Sequence, residues 1–185
     1  MKILAIGTSN SRNSINRTLA SYAAYLLEDA EVEVVDINDF EMPLFSVDRE
    51  KVLGHPPEAE DFYKKIGDAD ALVVSFAEHN GTYTAAWKNL FDWTSRIDSQ
   101  VFQGKPALYL STSPGARGGA SVLESAVESA GYFGAELVAS IPVPRFQDHF
   151  DGLGRPIGDA ATHQRIAAAM AGLQAAATQT ELETL

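Results

Sequence analysis

The chain has 185 residues, no cysteine, and 25 acidic against 14 basic residues, for a formal net charge of −11. That length suits one α/β domain with its own core, and the missing cysteines exclude a disulfide framework or a thiolate-ligated zinc or iron–sulfur centre. The charge argues against nucleic acid or an anionic membrane surface as partner. From the start, Ile3–Ile6 reads as a strand, in an apolar run too short for a signal peptide. Residues 14–28 carry Ile15, Leu19, Tyr22, Ala23, Leu26 and Leu27 at helical spacing, one apolar stripe. Val32–Val35 is a short second strand, and residues 37–56, broken by Pro43, Gly54 and Pro56, are expected to be irregular. An acidic helix is expected over Glu58–Ile66. Ala71–Phe76 is apolar enough for a strand buried on both faces. A helix over Thr84–Arg96, a strand over Pro106–Leu110, a helix over 118–132 and a strand over Leu137–Ile141 follow. An alanine-rich helix is predicted from Asp159 to about Thr178, with Ile166, Met170 and Leu173 facing the sheet.

Five strands alternating with helices imply a single α/β domain over residues 1–185, a doubly wound parallel sheet with helices on both faces. Ligands of such sheets sit beyond the carboxyl ends of the strands, at the point where strand order reverses. The loops after strands one, three and four therefore carry the functional information. No run of about 20 apolar residues could span a membrane. The lack of cysteine fits a reducing cytoplasm, which is the expected location.

The first of these loops reads Thr8-Ser9-Asn10-Ser11-Arg12-Asn13-Ser14-Ile15-Asn16 and opens a helix. Small residues let the backbone wrap an anion, and the helix N-terminus offers N–H groups and a favourable dipole. Ser9, Ser11, Ser14 and Asn16 can add donors, and Arg12 a positive charge. Neither the Walker loop nor the glycine-rich dinucleotide fingerprint is present. A polar turn with Ser14 as helix cap is the plainer alternative.

The loop after strand three, Ala77-Glu78-His79-Asn80-Gly81-Thr82, is tight and polar with an Asn-Gly turn signal. Its N–H groups and the Asn80 amide suit the edge of a planar heterocycle, and His79 offers a flat ring. In these two loops the chain resembles the NAD(P)H-dependent FMN reductases, which include quinone, azo-dye and chromate reductases. Their first motif resembles G-S-x-R-x-x-S-x-N, matched here at Ser9, Ser14 and Asn16, with Ser11 at the arginine position and Arg12 one place later. Their second resembles P-x-Y-N-x-S-x-P followed by L-K-N-x-x-D-W. Asn80, Lys88, Asn89, Asp92 and Trp93 match, while Ala77, His79, Thr82, Thr84 and Trp87 depart from it.

The resemblance implies a flavodoxin-like fold, a bound FMN, and NADPH or NADH as electron donor. It places the phosphate in loop 8–16, on Ser9, Ser11, Arg12, Ser14, Ile15 and Asn16. The ring would then lie between Ala77, Glu78, His79, Asn80, Gly81 and Thr82 and the loop after strand four. That loop contributes Ser113, Pro114, Gly115, Arg117 and Gly118, its glycines allowing close backbone approach. Arg117 is either a contact to the nicotinamide phosphate or a plain surface charge. The acceptor is expected to be a small molecule such as a quinone, a free flavin or an azo compound. No catalytic acid or base is expected, because the flavin carries the hard chemistry.

The resemblance also implies a homodimer or homotetramer with sites near the interface. Trp87, Phe91 and Trp93 on one helix are expected in the core or in such a contact, with Lys88, Asn89 and Asp92 as surface groups or part of it. His55 and His163 read as solvent residues, and His149 lies in a loop that could cover a neighbouring subunit's site. No metal-ligand constellation stands out. The rival readings are an electron carrier without its own turnover, and a non-flavin interaction domain on the same fold. Against the carrier stands the missing T-x-T-G-x-T loop.

Overall fold

The computed structural model describes residues 1–158 and 160–183. The main sheet is built from β1 (Lys2–Gly7), β2 (Glu31–Asp36), β3 (Ala71–Phe76), β6 (Lys105–Thr112) and β7 (Ala135–Val143), all parallel, in the order β2-β1-β3-β6-β7. Between β3 and β6 lies a two-stranded hairpin, β4 (Glu78–His79) and β5 (Thr82–Tyr83). Counted without the hairpin, the sheet order is 2-1-3-4-5, the flavodoxin-like arrangement whose order reverses between the first and third strands.

Side chains alternate across each strand and so divide between two cores. Ile3, Ala5, Val73, Leu108 and Leu110 point to one face, where α1 (Ile15–Ala24) and α6 (Ala160–Glu183) cover them. Leu4, Ile6, Leu72, Val74 and Tyr109 point to the other, under α3 (Pro57–Gly67), α4 (Ala85–Thr94) and α5 (Ala120–Ser129). This is why β3 reads as an unbroken apolar run: all six of its residues are buried. No helix among the described residues is long and apolar enough to cross a membrane.

Three expectations are corrected. Residues 37–56 are not irregular: Ile37–Phe40 forms a 3-10 turn capped by the Asp36 carboxylate, and Val47–Leu53 forms α2, capped by the Ser46 hydroxyl and closed by Gly54 at φ +68°. Because α2 buries none of its residues, it leaves no apolar stripe to be read. The first helix stops at Ala24, short of residue 28, in a turn where the N–H groups of Leu26 and Leu27 bond the Ala23 and Ala24 carbonyls. His163 is half-buried, its Nδ1 2.9 Å from the Tyr22 hydroxyl. The predicted start of the last helix, Asp159, lies outside the described residues, and the helix continues past Thr178 to Glu183.

Two residues of the second motif act as a clamp. Asn89 accepts from the Phe45 N–H at 2.8 Å and donates to the Met42 carbonyl at 3.1 Å, while Trp93 Nε1 donates to the Pro43 carbonyl at 2.7 Å. Together they pin segment 42–45 to α4. Trp87 and Trp93 are core residues, as their helical spacing suggested.

At the sheet edge, Glu33 on β2 takes Lys65 of α3 at 2.9 Å and Lys2 of β1 at 3.0 Å. The hydrogen bonds from Lys65 and then Lys2 hold its carboxyl below the ordinary carboxylate value. Its stabilising contribution is therefore complete above the unfolded value of about 4.3 and is lost as pH falls through the lower folded value. The groups are about a third exposed, so the effect is modest. Glu33→Gln should lower unfolding free energy by about 0.5–1 kcal/mol at pH 7 and by much less at pH 3. Urea denaturation at the two pH values checks this.

Candidate flavin site

The loops after β1, β3 and β6 meet at the carboxyl edge of the sheet, and buried polar side chains bind them together. The Thr8 N–H donates to the Ser75 carbonyl at 3.0 Å, and its hydroxyl accepts from the Ala77 N–H at 2.9 Å. The Thr84 hydroxyl donates to the Thr8 carbonyl at 2.6 Å. Asn16 completes the clasp. Its amide donates to the Thr112 carbonyl at 3.1 Å, and its oxygen accepts from the Ser75 hydroxyl at 2.8 Å and the Thr112 N–H at 3.1 Å.

The Asn16 side chain is thus turned inward, and what it offers a ligand is its backbone N–H. The Ser14 hydroxyl oxygen accepts from the Arg17 N–H at 3.1 Å as the cap of α1, which leaves its O–H to donate. Among the described residues the N–H groups of Ser14, Ile15 and Asn16 have no acceptor in the chain. A helix N-terminus with unspent donors and a favourable dipole is a candidate anion site. Ser11 and Arg12 are exposed beside it, and Arg12 makes no ion pair among the described residues. Ser9 is buried, its hydroxyl accepting from the Ser11 N–H at 3.2 Å. Arg17 is not available: it pairs with Asp36 and also donates to the Arg12 carbonyl at 2.6 Å, holding the loop's outer turn. Gly7 is required where the chain enters, since a Cβ there would lie 2.3 Å from the Arg17 nitrogen.

The second loop is a two-residue hairpin. Asn80 and Gly81 both take positive φ, 53° and 80°, the turn that Asn-Gly favours. His79, Asn80, Gly81 and Thr82 are exposed at its tip, while Ala77 is buried at its root. Glu78 does not face outward with them: its carboxylate accepts from the Val122 N–H at 3.1 Å, in the first turn of α5. The residue before that helix, Gly119, has no side chain to cap it, so Glu78 performs the capping from a different element.

The third loop is fastened from both sides. Ser111 donates to the Gly118 carbonyl at 2.7 Å, the Phe146 N–H to the Ser113 carbonyl at 3.1 Å, and the Arg145 N–H to the Gly115 carbonyl at 3.0 Å. Gly118 is buried at φ +59°, and a Cβ would meet the Pro144 nitrogen at 2.6 Å. Pro114, Gly115 and Arg117 are exposed, Ser113 is half-buried, and the Arg117 guanidinium bonds the Ser121 hydroxyl at 2.9 Å. His149 is buried within this chain. Among the described residues no group of His, Asp and Glu side chains is placed to hold a metal ion.

The sequence pattern of the NADPH-dependent FMN reductases matches residues 1–148. The chain is 31% identical over 164 residues to an NAD(P)H-dependent FMN reductase of Pseudomonas aeruginosa, covering 87% of each chain. The chain belongs to the NADPH-dependent FMN reductase family. Membership makes it an oxidoreductase that works with FMN and a nicotinamide donor. An NAD(P)H:quinone oxidoreductase of Solanum tuberosum is 34% identical over 125 residues, 65% of this chain and 63% of that one. Among solved structures, a flavoenzyme NAD(P)H:(acceptor) oxidoreductase from Paracoccus denitrificans superposes with a TM-score of 0.74 at 23% identity, over 94% of this chain and 95% of that one. That likeness is one of fold.

The motif residues could be read from sequence as candidates, but the clasp that holds them could not. Thr8, Ser75, Thr84 and Thr112 are ordinary small polar residues. The one available signal was the position of Thr8, Ser75 and Thr112 at the ends of otherwise apolar strands. Asn16→Ala should remove three buried hydrogen bonds and lower unfolding free energy by about 1–3 kcal/mol. Urea denaturation without ligand measures this directly.

Proposed function

We propose that the three loops hold FMN and that the chain reduces a small flat acceptor, a quinone, free flavin or azo compound, at the expense of NADPH or NADH. The observation that carries this reading is the N-terminus of α1, whose free N–H groups sit on a buried clasp shared by all three strand ends. In it, the backbone of Ser14, Ile15 and Asn16, with Ser9, Ser11 and Arg12, takes the phosphate. Ala77 to Thr82 and Ser113 to Gly118 border the ring, and the glycines let the main chain approach it closely. Bound FMN supplies the redox chemistry, accepting hydride from the nicotinamide and passing electrons on to the acceptor. The protein binds, orients and shields, and no side chain in the three loops is needed as acid or base. In this reading Arg117, exposed at the rim, meets a phosphate of the nicotinamide cofactor.

The whole chain acts as one domain, in the cytoplasm, without nucleic acid or membrane as partner. It assembles as a homodimer or homotetramer. Supporting this is the apolar surface of α2 and the residues before it, where Leu44, Val47, Val52 and Leu53 are each more than half exposed, unusual for a protein with no use for such a patch.

Purified protein supplied with FMN and freed of excess should retain a flavin band that bleaches with NADPH or NADH under anaerobic conditions. Ser14→Ala combined with Asn16→Ala should lower FMN affinity at least tenfold, read by fluorescence titration. A retained flavin that neither nucleotide reduces would instead favour an electron carrier, and unchanged affinity in the double variant would show that neither the Ser14 hydroxyl nor the Asn16 clasp serves phosphate binding.

A further inference from the structure

A groove of about 730 Å³ opens beside loop 8–16, a volume in the range of small-molecule sites. One wall is that loop and the start of α1, from Arg12 to Thr18. The other is the segment from Phe146 to Gly154, which follows β7. None of the residues 77–82 or 113–118 lines it. The groove therefore begins at the N–H groups assigned to the phosphate and leads away from the two loops assigned to the ring.

The second wall is held in shape by the fold. Phe146 and Phe150 stack with their centroids 4.7 Å apart. The Asp151 N–H donates to the Arg155 carbonyl at 2.9 Å, and the Ile157 N–H to the His149 carbonyl at 2.7 Å. The two walls meet at Gly154, where a Cβ would come within 2.8 Å of the Thr18 methyl.

Charge and polarity inside the groove are uneven. Its one acid, Asp151, is satisfied within its own turn: the carboxylate accepts from the Leu153 N–H at 2.8 Å, the Arg155 N–H at 2.9 Å and the Arg155 guanidinium at 2.7 Å. Arg17 is cancelled by Asp36. Arg12 is left as an uncompensated cation among the described residues, in a chain whose net charge is −11. Farther along, Leu153 and Ile157 leave 79% and 44% of their surface exposed. A guanidinium suits a phosphate, and exposed apolar side chains in a groove suit the face of a flat base.

We propose that this groove receives the adenylate half of FAD, so that the chain holds FAD as well as FMN. The inference rests on the flavin reading above. FAD is FMN whose phosphate carries AMP, so a phosphate bound at Ser14 to Asn16 delivers the adenylate to the mouth of the groove. The second site is then reached at a high effective concentration. The adenylate of the nicotinamide donor is the competing occupant, and placement disfavours it. The donor has to reach the ring, whereas the groove leads the other way.

The full chain, freed of flavin, is dialysed to equilibrium against FMN or FAD, and bound flavin is read by absorbance. FAD should bind within about threefold of FMN, or more tightly. Gly152→Trp, where an added Cβ meets nothing within 4 Å, and Leu153→Trp, at an exposed position, should each lower FAD affinity about tenfold and leave FMN affinity within about twofold. FMN held while FAD binds more than threefold weaker overturns the proposal and leaves the flavin reading intact. FAD binding that neither substitution weakens does the same. If the substitutions raise the KM for NADPH in the FMN-loaded protein and spare FAD, the groove belongs to the donor and the proposal fails. Retention of neither flavin removes the flavin reading, and this inference with it.

Discussion

The Asn16 side chain is a short amide with both ends spoken for, and the carboxyl edge of the sheet is organised around it. It stands in the first turn of α1, yet its three bonds reach β3 and the end of β6. These bonds are made in a buried setting where an unpaired partner would be costly. The start of α1 therefore has a fixed height and rotation over the sheet. A helix N-terminus can collect an anion only if its N–H groups point to one spot, and the clasp sets that spot. Thr8 and Thr84 extend the same lattice to the hairpin.

Beneath this lattice the fold is apolar and divided by strand alternation into two cores. The core under α1 and α6 is rich in alanine, whereas the one under α3, α4 and α5 is rich in large rings. Rings meeting edge to face leave gaps that aliphatic side chains would fill, and a cavity between α4 and α5 is in the aromatic core.

Much of this was legible in the sequence, for identifiable reasons. Strands such as Ala71–Phe76 are unmistakable because burial on both faces demands an unbroken apolar run. The polar loop before α1 stood out as a candidate anion site because serine and asparagine crowd the start of an amphipathic helix. What stayed hidden depends on distance in the chain. Helix α2 buries nothing and so leaves no periodic signature. His163 finds Tyr22 across 141 residues, a pairing that no local pattern encodes. Glu78 read as one more loop residue, yet its partner Val122 is 44 positions away.

That last contact makes two of the helix N-termini at this edge, those of α1 and α5, electrically unequal. The positive end of α5 is met by the Glu78 carboxylate, while that of α1 is met only by the neutral Ser14 hydroxyl. Along the mouth of the site the potential therefore slopes, from a positive pole at α1 toward a nearly compensated one at α5. An elongated molecule with a single charged end is turned by such a gradient before any specific contact forms, charged end first toward α1. In a chain whose total charge repels anions, this local slope decides which way round a ligand arrives.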